Sequence, residues 1–187
     1  QDGPRELRTP QGTRLSSMNW HDYFTYDADT GNLIWKRRDL RSFANERMGK
    51  VWNTRFAGKV AGGKHNGGYY HVAVSGFKTL VHRVIWEMFY GSLMDGEQVD
   101  HIDMDRTNCR IENLRKCSNA QNTRNSRKRS NNTSGYKGVT GCGNRWKAQI
   151  GANYHNTHLG VFRTPEEAHE AYCLAAAELH GEFSRTA

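Results

Sequence analysis

The spacing of hydrophobic and polar positions changes several times along the chain, and each change predicts an element. From residue 20 the string WHDYFTYDADTGNLIWK places aromatics on both sides of the turn residues Asp29, Thr30, Gly31 and Asn32. This predicts a short helix or extended piece leading into a strand at Leu33 to Lys36. Basic residues then dominate a weakly periodic stretch from Arg37 to Lys59, which predicts a basic loop. Alternation follows, with Tyr70, Val72 and Val74 against His71, Ala73 and Ser75, a turn at Ser75 and Gly76, and a return run ending at Val81. That is the pattern of a hairpin. It feeds a helix at about 82 to 90 whose expected buried stripe is Val84, Ile85, Met88 and Phe89.

Three short strands are predicted further on, at Tyr136 to Thr140, Arg145 to Gly151 and Asn156 to Phe162, separated by Gly and Asn. A helix with strong punctuation closes the chain. Thr164 is its N-cap, Pro165 its first residue, Glu167 completes a capping box and Gly181 stops it. Its apolar stripe is Ala168, Ala171, Tyr172, Ala175 and Leu179. A three-stranded antiparallel sheet backed by one helix follows, with the second face of the sheet uncovered. The period of two sends Trp146, Ala148 and Ile150 toward the helix. Lys147 and Gln149 then point outward, with Lys137, Thr140, Arg145, Asn156 and His158.

Composition narrows the function classes. The chain has 187 residues, 36% hydrophobic and 25% charged, which suits one globular domain or two small ones. No run approaches the roughly 18 apolar residues of a membrane span, and no secretory signal is visible. The expectation is a soluble, cytoplasmic protein without membrane partners. The seventeen residues before Met18 are polar, carry two of the three prolines, and are set aside as a disordered arm or expression scar. Four cysteines, at 109, 117, 142 and 173, form no CxxC pair, so reduced thiols are expected and a zinc ribbon is not. The formal charge of +8 makes a polyanion the first partner to consider, because Lys and Arg displace its counterions without any special pocket. The charge is also patterned. Asp95, Glu97, Asp100, Asp103, Asp105 and Glu112 are followed at once by Arg115, Lys116, Arg124, Arg127, Lys128 and Arg129. The polar, turn-rich segment after them reads as a linker at 131–135 between a first domain, 18–130, and a second, 136–187.

The chemistry is concentrated in VDHIDMDRTNCRIENLRKCSNAQNTRN, residues 99 to 125. Asp100 and His101 are adjacent, Asn113 follows thirteen residues after Asp100, and Asn122 nine after that. A carboxylate and an amide oxygen are hard donors suited to Mg²⁺ or Mn²⁺, and a neutral imidazole beside them can take a proton from water near pH 7. Together they suit hydrolysis of a phosphodiester. The segment resembles the HNH nuclease family with its ββα-metal fold, in the phage homing-endonuclease branch. The shared features are DHI, then N-R-I-E-N-L-R as a pattern, then Q-N, with the upstream Val81, His82 and Arg83. Here Cys109 stands where that pattern commonly has Asn, with an expected effect on packing more than on chemistry.

The resemblance implies that His101 activates water, that Asp100 and Asn122 hold one divalent metal, Mg²⁺ or Mn²⁺, and that Asn113 braces the loop and orients His101. His82 is left between a phosphate contact and a packing role. Arg83, Arg115 and Arg124 are left between clamping phosphates and carrying solvated charge. The segment from Ser134, with YKGV, RWKAQI, HLGVF, TPEEAHEAY and LHGEF, resembles the APETALA-type DNA-binding domain of plant ethylene-response factors. That family lays the exposed sheet face in the DNA major groove. The expected fold is therefore α+β, a ββα-metal HNH nuclease domain followed by a small three-stranded antiparallel sheet packed on one helix. The expected function is that of a metal-dependent double-stranded DNA endonuclease of homing type, a monomer or weak dimer, in the host cytoplasm if phage-encoded. The rivals are a non-catalytic DNA-binding regulator on a nuclease-like scaffold and an RNA-binding or intron-maturation factor.

Overall fold

A computed structural model describes residues 18–65, 67–125, 128, 131–152 and 155–184. The arm expected over residues 1–17 lies outside them, as do Arg127 and Arg129 of the basic run. The described residues form an α+β fold with several small sheets and four helices. They divide into two units. The first takes the described residues up to Asp95 together with Val99–Arg115, and the second takes Gly96–Gln98 with the described residues from Lys116 onward.

The first unit opens with a 3-10 turn, Trp20–Asp22, and a two-stranded antiparallel hairpin of β1 (Phe24–Asp27) and β2 (Asn32–Trp35), with Phe24 opposite Trp35. The sequence pattern anticipated the second of these strands and left the segment before it as a short helix or extended piece; a 3-10 turn and then a strand stand there. Of the four residues of β1 only Phe24 is fully buried, so no alternation marks it. The turn is held by Thr30, whose hydroxyl donates to Asp27 Oδ2 at 2.6 Å, and by Gly31 at φ +74°.

The basic loop expected between Arg37 and Lys59 is instead a helix over much of its length, α1 (Glu46–Phe56). Its fully buried positions are Gly49 and Asn53, and the apolar side chains on the same side, Trp52 and Phe56, are half-buried, Trp52 against Trp35 and Phe43, so the apolar period in the sequence is weak. Asn45 caps it by accepting the Met48 N–H at 2.9 Å. Asn53 ties it down, accepting from Arg38 N–H and donating to Arg38 C=O, both at 2.9 Å. Gly49 lets Leu40 and Phe43 approach to where a Cβ would stand.

A second sheet, in the order β3 (Gly63–Lys64), β4 (Tyr70–Val74) and β5 (Phe77–Leu80), contains the expected hairpin. Ser75 and Gly76 at its turn both have positive φ, 50° and 81°, the geometry that a two-residue hairpin loop favours. Val72 and Val74 are buried on one face. Helix α2 (Val81–Tyr90) follows directly. Its buried residues are Val81, His82, Val84 and Ile85, whereas Phe89, expected in the stripe, is 51% exposed, with the Tyr26 ring edge-on at 5.1 Å and Tyr90 at 6.4 Å. The core of the unit joins Trp20, Phe24 and Leu33 of the first hairpin region to Val72 and Val74, to α2, and to Val99, Cys109 and Leu114.

Strand β6 (Glu97–His101) pairs with β7 (Leu114–Ser118), and α3 (Asn119–Arg124) leaves β7 through a capping box made by Ser118 and Gln121. The second unit then carries an antiparallel sheet in the order β10 (His155–Phe162), β9 (Arg145–Ala152) and β8 (Val139–Cys142). It packs on α4 (Pro165–His180). The helix has the caps its sequence indicates: Thr164 Oγ1 accepts the Glu167 N–H at 3.2 Å, and Gly181 ends it. Buried on it are Ala168, Tyr172 and Ala176; Leu179, expected in the stripe, is 47% exposed. The segment expected as a linker is hydrogen-bonded onto the sheet. Ser134 Oγ donates to Val139 C=O at 2.9 Å, and Asn132 Nδ2 to Tyr136 C=O at 2.8 Å.

Candidate active site and sheet face

In the first unit the chemistry collects where β6 ends. His101 is the last residue of the strand and is 2% exposed. The chain then loops through residues 102 to 110, makes a 3-10 turn at Ile111–Asn113 and returns as β7. Asn113 closes this loop. Its backbone oxygen accepts the Ile102 N–H at 2.8 Å and its Oδ1 the Asp103 N–H at 3.0 Å. Its Nδ2 donates to Asp103 Oδ1 at 2.9 Å and Asn108 C=O at 2.8 Å. Burial alone would raise the Asp103 carboxyl, but hydrogen bonds from Asn108, Asn113 and the Asp105 backbone outweigh it and hold the group below the ordinary carboxylate range. Asp105 is likewise held low, first by the Thr107 hydroxyl. The loop is thus a self-satisfied network of side-chain amides and carboxylates, with His101 at its base.

The imidazole of His101 is flanked by His82, Tyr69 and Cys109. His82 meets it edge to face at 4.7 Å and 68°, Tyr69 lies at 6.0 Å, and Cys109 Sγ is 3.9 Å from Nε2. Burial lowers the His101 pKa, opposed by the charges of Asp100, Asp103 and Asp105. The ring is therefore neutral and able to accept a proton at pH 7. His82 takes the packing position of its two expected roles. It is 3% exposed, and burial, then the neighbouring His101 and Arg83, lower it to about 3. Arg83 is half-buried beside it on α2.

Asp100 is in an ion pair. Arg115 Nη2 and Nε approach its Oδ2 at 3.1 and 3.3 Å, and both side chains are 13% exposed. Arg115, expected as a phosphate clamp, thus engages the expected metal ligand. Asn122 lies in the second unit on α3, where its Nδ2 donates to Gln98 Oε1 at 2.6 Å. Arg124, on the same helix, is half-buried.

Among the described residues no three His, Cys, Asp or Glu side chains come together as a metal cage. A carboxylate with an amide oxygen nevertheless fits a hard cation that keeps several waters and takes substrate phosphate as further ligands, as Mg²⁺ does. Sequence spacing did not point to Tyr69, Arg106 or Cys109. Arg106 stacks on Tyr69 at 4.7 Å and donates to Gly67 C=O at 2.6 Å, so the β3–β4 connection and the loop meet beside His101.

In the second unit Ala148 and Ile150 are buried against α4 and its surroundings, and Trp146 is packed beside them. Register places the rest. Thr140 lies opposite Lys147 and Cys142 opposite Arg145. His158 lies opposite Gln149 and Asn156 opposite Gly151. Thr140, Arg145, Lys147, Gln149, Asn156 and His158 therefore share the face away from the helix, with Val161 added opposite Lys147. Lys137 precedes β8 and its Nζ donates to Arg124 C=O at 2.6 Å, so it does not belong to the strand rows.

Comparison with known proteins covers part of the chain. Residues 79–124 match the model of the HNH endonuclease family, a span that holds α2, Asp100, His101, Asn113 and Asn122. Protein 3.8 of Escherichia phage T7 is 32% identical over 110 residues, 56% of this chain and 87% of that protein. An uncharacterized HNH endonuclease, L560, of Acanthamoeba polyphaga mimivirus is 32% identical over 108 residues, 57% of this chain and 56% of the relative. The chain thus spans nearly all of the phage relative and about half of the mimivirus one.

Proposed function

Because residues 79–124 match the HNH endonuclease family, we propose that the chain is a metal-dependent endonuclease of double-stranded DNA, of homing type, cutting with His101 as general base. The observation that carries the reading is the placement of a buried, neutral imidazole beside Asp100, at the base of a loop braced by Asn113. His101 takes a proton from water as its oxygen attacks phosphorus in line. The bond to the 3′ oxygen breaks, leaving a 5′-phosphate and, once that oxygen is protonated from solvent, a 3′-hydroxyl. Asn113 keeps the loop closed so that the ring does not swing. Asp100 and Asn122 would hold one Mg²⁺ or Mn²⁺, which when bound supplies charge stabilisation of the phosphate and leaving oxygen. One such site cuts one strand per engagement, so nicking is the natural activity of a monomer.

The second unit supplies position. Its face of Thr140, Arg145, Lys147, Gln149, Asn156 and His158 would enter the major groove, which is wide enough for β-strands, in the manner of the APETALA-type domain. A non-catalytic DNA-binding regulator is the second reading, favoured by the Arg115 pair that occupies Asp100. Cleavage separates the two. Incubation with phage or bacterial genomic DNA and Mg²⁺ or Mn²⁺, with both strands mapped, is expected to give 5′-phosphate ends. His101→Ala is expected to lower cleavage by roughly 10² to 10⁴ and leave DNA affinity within a few-fold. Undiminished cutting by purified His101→Ala would move the assignment to the regulator.

A further inference from the structure

Cys109 follows His101 by eight residues and looks in sequence like a packing residue. In the fold it is 3% exposed and its sulfur faces Nε2 of the candidate base at 3.9 Å. That sulfur is held from outside the loop. Gly31, at φ +74°, lies so close that a Cβ there would stand 2.9 Å from the Cys109 carbonyl carbon and 2.6 Å from Arg110 N. The Arg110 guanidinium donates to Asp29 C=O at 2.7 and 3.2 Å, and Ile111 N–H to the Tyr26 hydroxyl at 2.9 Å. The β1–β2 hairpin therefore clamps the residues on which the thiol rides. The imidazole is held as well, by the His82 edge and Tyr69. Burial keeps the thiol protonated, pushed up to about 11, so two neutral groups meet.

A neutral imidazole has one N–H and one lone pair, and a base must turn the lone pair to its proton source. Which nitrogen carries the hydrogen is set by what the other one bonds. We propose that Cys109 is a positioning residue whose sulfur accepts the Nε2–H of His101, selecting the tautomer in which Nδ1 takes the proton from water. The opposite arrangement, S–H donating to Nε2, would put the hydrogen on Nδ1 and present a donor to the water. In the proposed step the proton arrives at Nδ1, the ring becomes a cation, and Nε2–H stays on sulfur in a bond that the charge strengthens. No further reactant is needed. The inference rests on the reading of His101 as general base.

The test is a multiple-bond ¹H–¹⁵N correlation of histidine-labelled, full-length protein near pH 7.5, with the His101 ring signals assigned by their loss in His101→Ala. The parent is expected to show a pyridine-type Nδ1 and a pyrrole-type Nε2. Cys109→Val, close in volume and without an acceptor, is expected to move both shifts toward the average of two tautomers. It should also lower kcat by about two- to fivefold, the fraction withdrawn from the competent form, with Kd for DNA unchanged. Cys109→Ser restores an acceptor and is expected to recover both readouts. A parent spectrum with the hydrogen on Nδ1 overturns the proposal, as does a folded Cys109→Val protein with unshifted ring signals. The parent spectrum decides the direction of the bond even where a variant does not fold. Full cleavage by His101→Ala would sink the general-base reading and leave the tautomer result standing, so the two failures are distinct.

Discussion

Acidification should destabilise the first unit through His82. In the unfolded chain this imidazole titrates near its ordinary 6.5; in the folded unit it is lowered to about 3, because it is 3% exposed with His101 and Arg83 beside it. A folded-state pKa below the unfolded one means that the unfolded chain binds the proton more readily below pH 6.5. Stability is therefore complete above 6.5, falls as the pH drops, and stops falling near pH 3. Each pH unit below 6.5 costs about 1.4 kcal/mol, so a drop to pH 4 removes roughly 3 kcal/mol, a large share of the 5 to 15 kcal/mol typical of a domain. His101, lowered in the same direction by burial, adds to the trend. The assay is urea unfolding followed by tryptophan fluorescence between pH 8 and 4, comparing the parent with His82→Gln. The variant lacks the packing against His101 and Tyr69 and starts less stable at pH 7, but its stability should fall less steeply. Parallel curves for parent and variant would refute the reasoning, because a ring that titrates normally in the folded state contributes no slope.

Other substitutions test the remaining contacts. Gly31→Ala combines positive φ with overlap on Cys109 and Arg110, and should lower stability by about 3 kcal/mol in thermal unfolding; an unchanged Tm would mean that the hairpin does not press on the loop. Arg115→Ala leaves the nearly buried Asp100 carboxylate without its guanidinium and should cost roughly 3 kcal/mol, with the Asp100→Ala, Arg115→Ala double variant recovering part of it in a double-mutant cycle. Trp146→Ala should unfold the second sheet, at about 3 to 5 kcal/mol, whereas Lys147→Ala and Gln149→Ala should weaken DNA binding without changing the melt. The reverse outcome, a stable Trp146→Ala and an unfolded Lys147→Ala, would place the strand one residue out of register.

Elements were legible where one local signal sufficed. The hairpin at Ser75 and Gly76 declares itself because alternation on both sides and a turn residue in the middle agree, and α4 because cap, proline and terminal glycine stand at their proper spacings. Helix α1 escaped because two of its inward positions, beside Trp52 and Phe56, are Gly49 and Asn53. One removes bulk so that Leu40 and Phe43 can close, and the other replaces an apolar contact with two hydrogen bonds to Arg38. Neither contributes to an apolar period. Phe89 and Leu179 mislead in the opposite sense: both sit near the last turn of a helix, where the apolar stripe continues in sequence after the core it faces has ended.

The site divides along a related line. Asp100, His101, Asn113 and Asn122 were singled out because a family resemblance fixes their spacing, but spacing says nothing about what each side chain touches. His82 and Cys109 lie nineteen residues before and eight after His101, and neither interval has a meaning in a helix or a strand. They meet the ring because three unrelated features converge: the start of α2 directly after the β5 hairpin, the amide network that folds the loop back on Asn113, and the press of Gly31 on Cys109. The last of these starts from a turn in a hairpin far outside the matched segment of residues 79–124. The proposed base, buried at the end of a strand, is therefore flanked by groups from separate elements, and substitutions in the first hairpin should alter the chemistry without touching a residue of the matched segment.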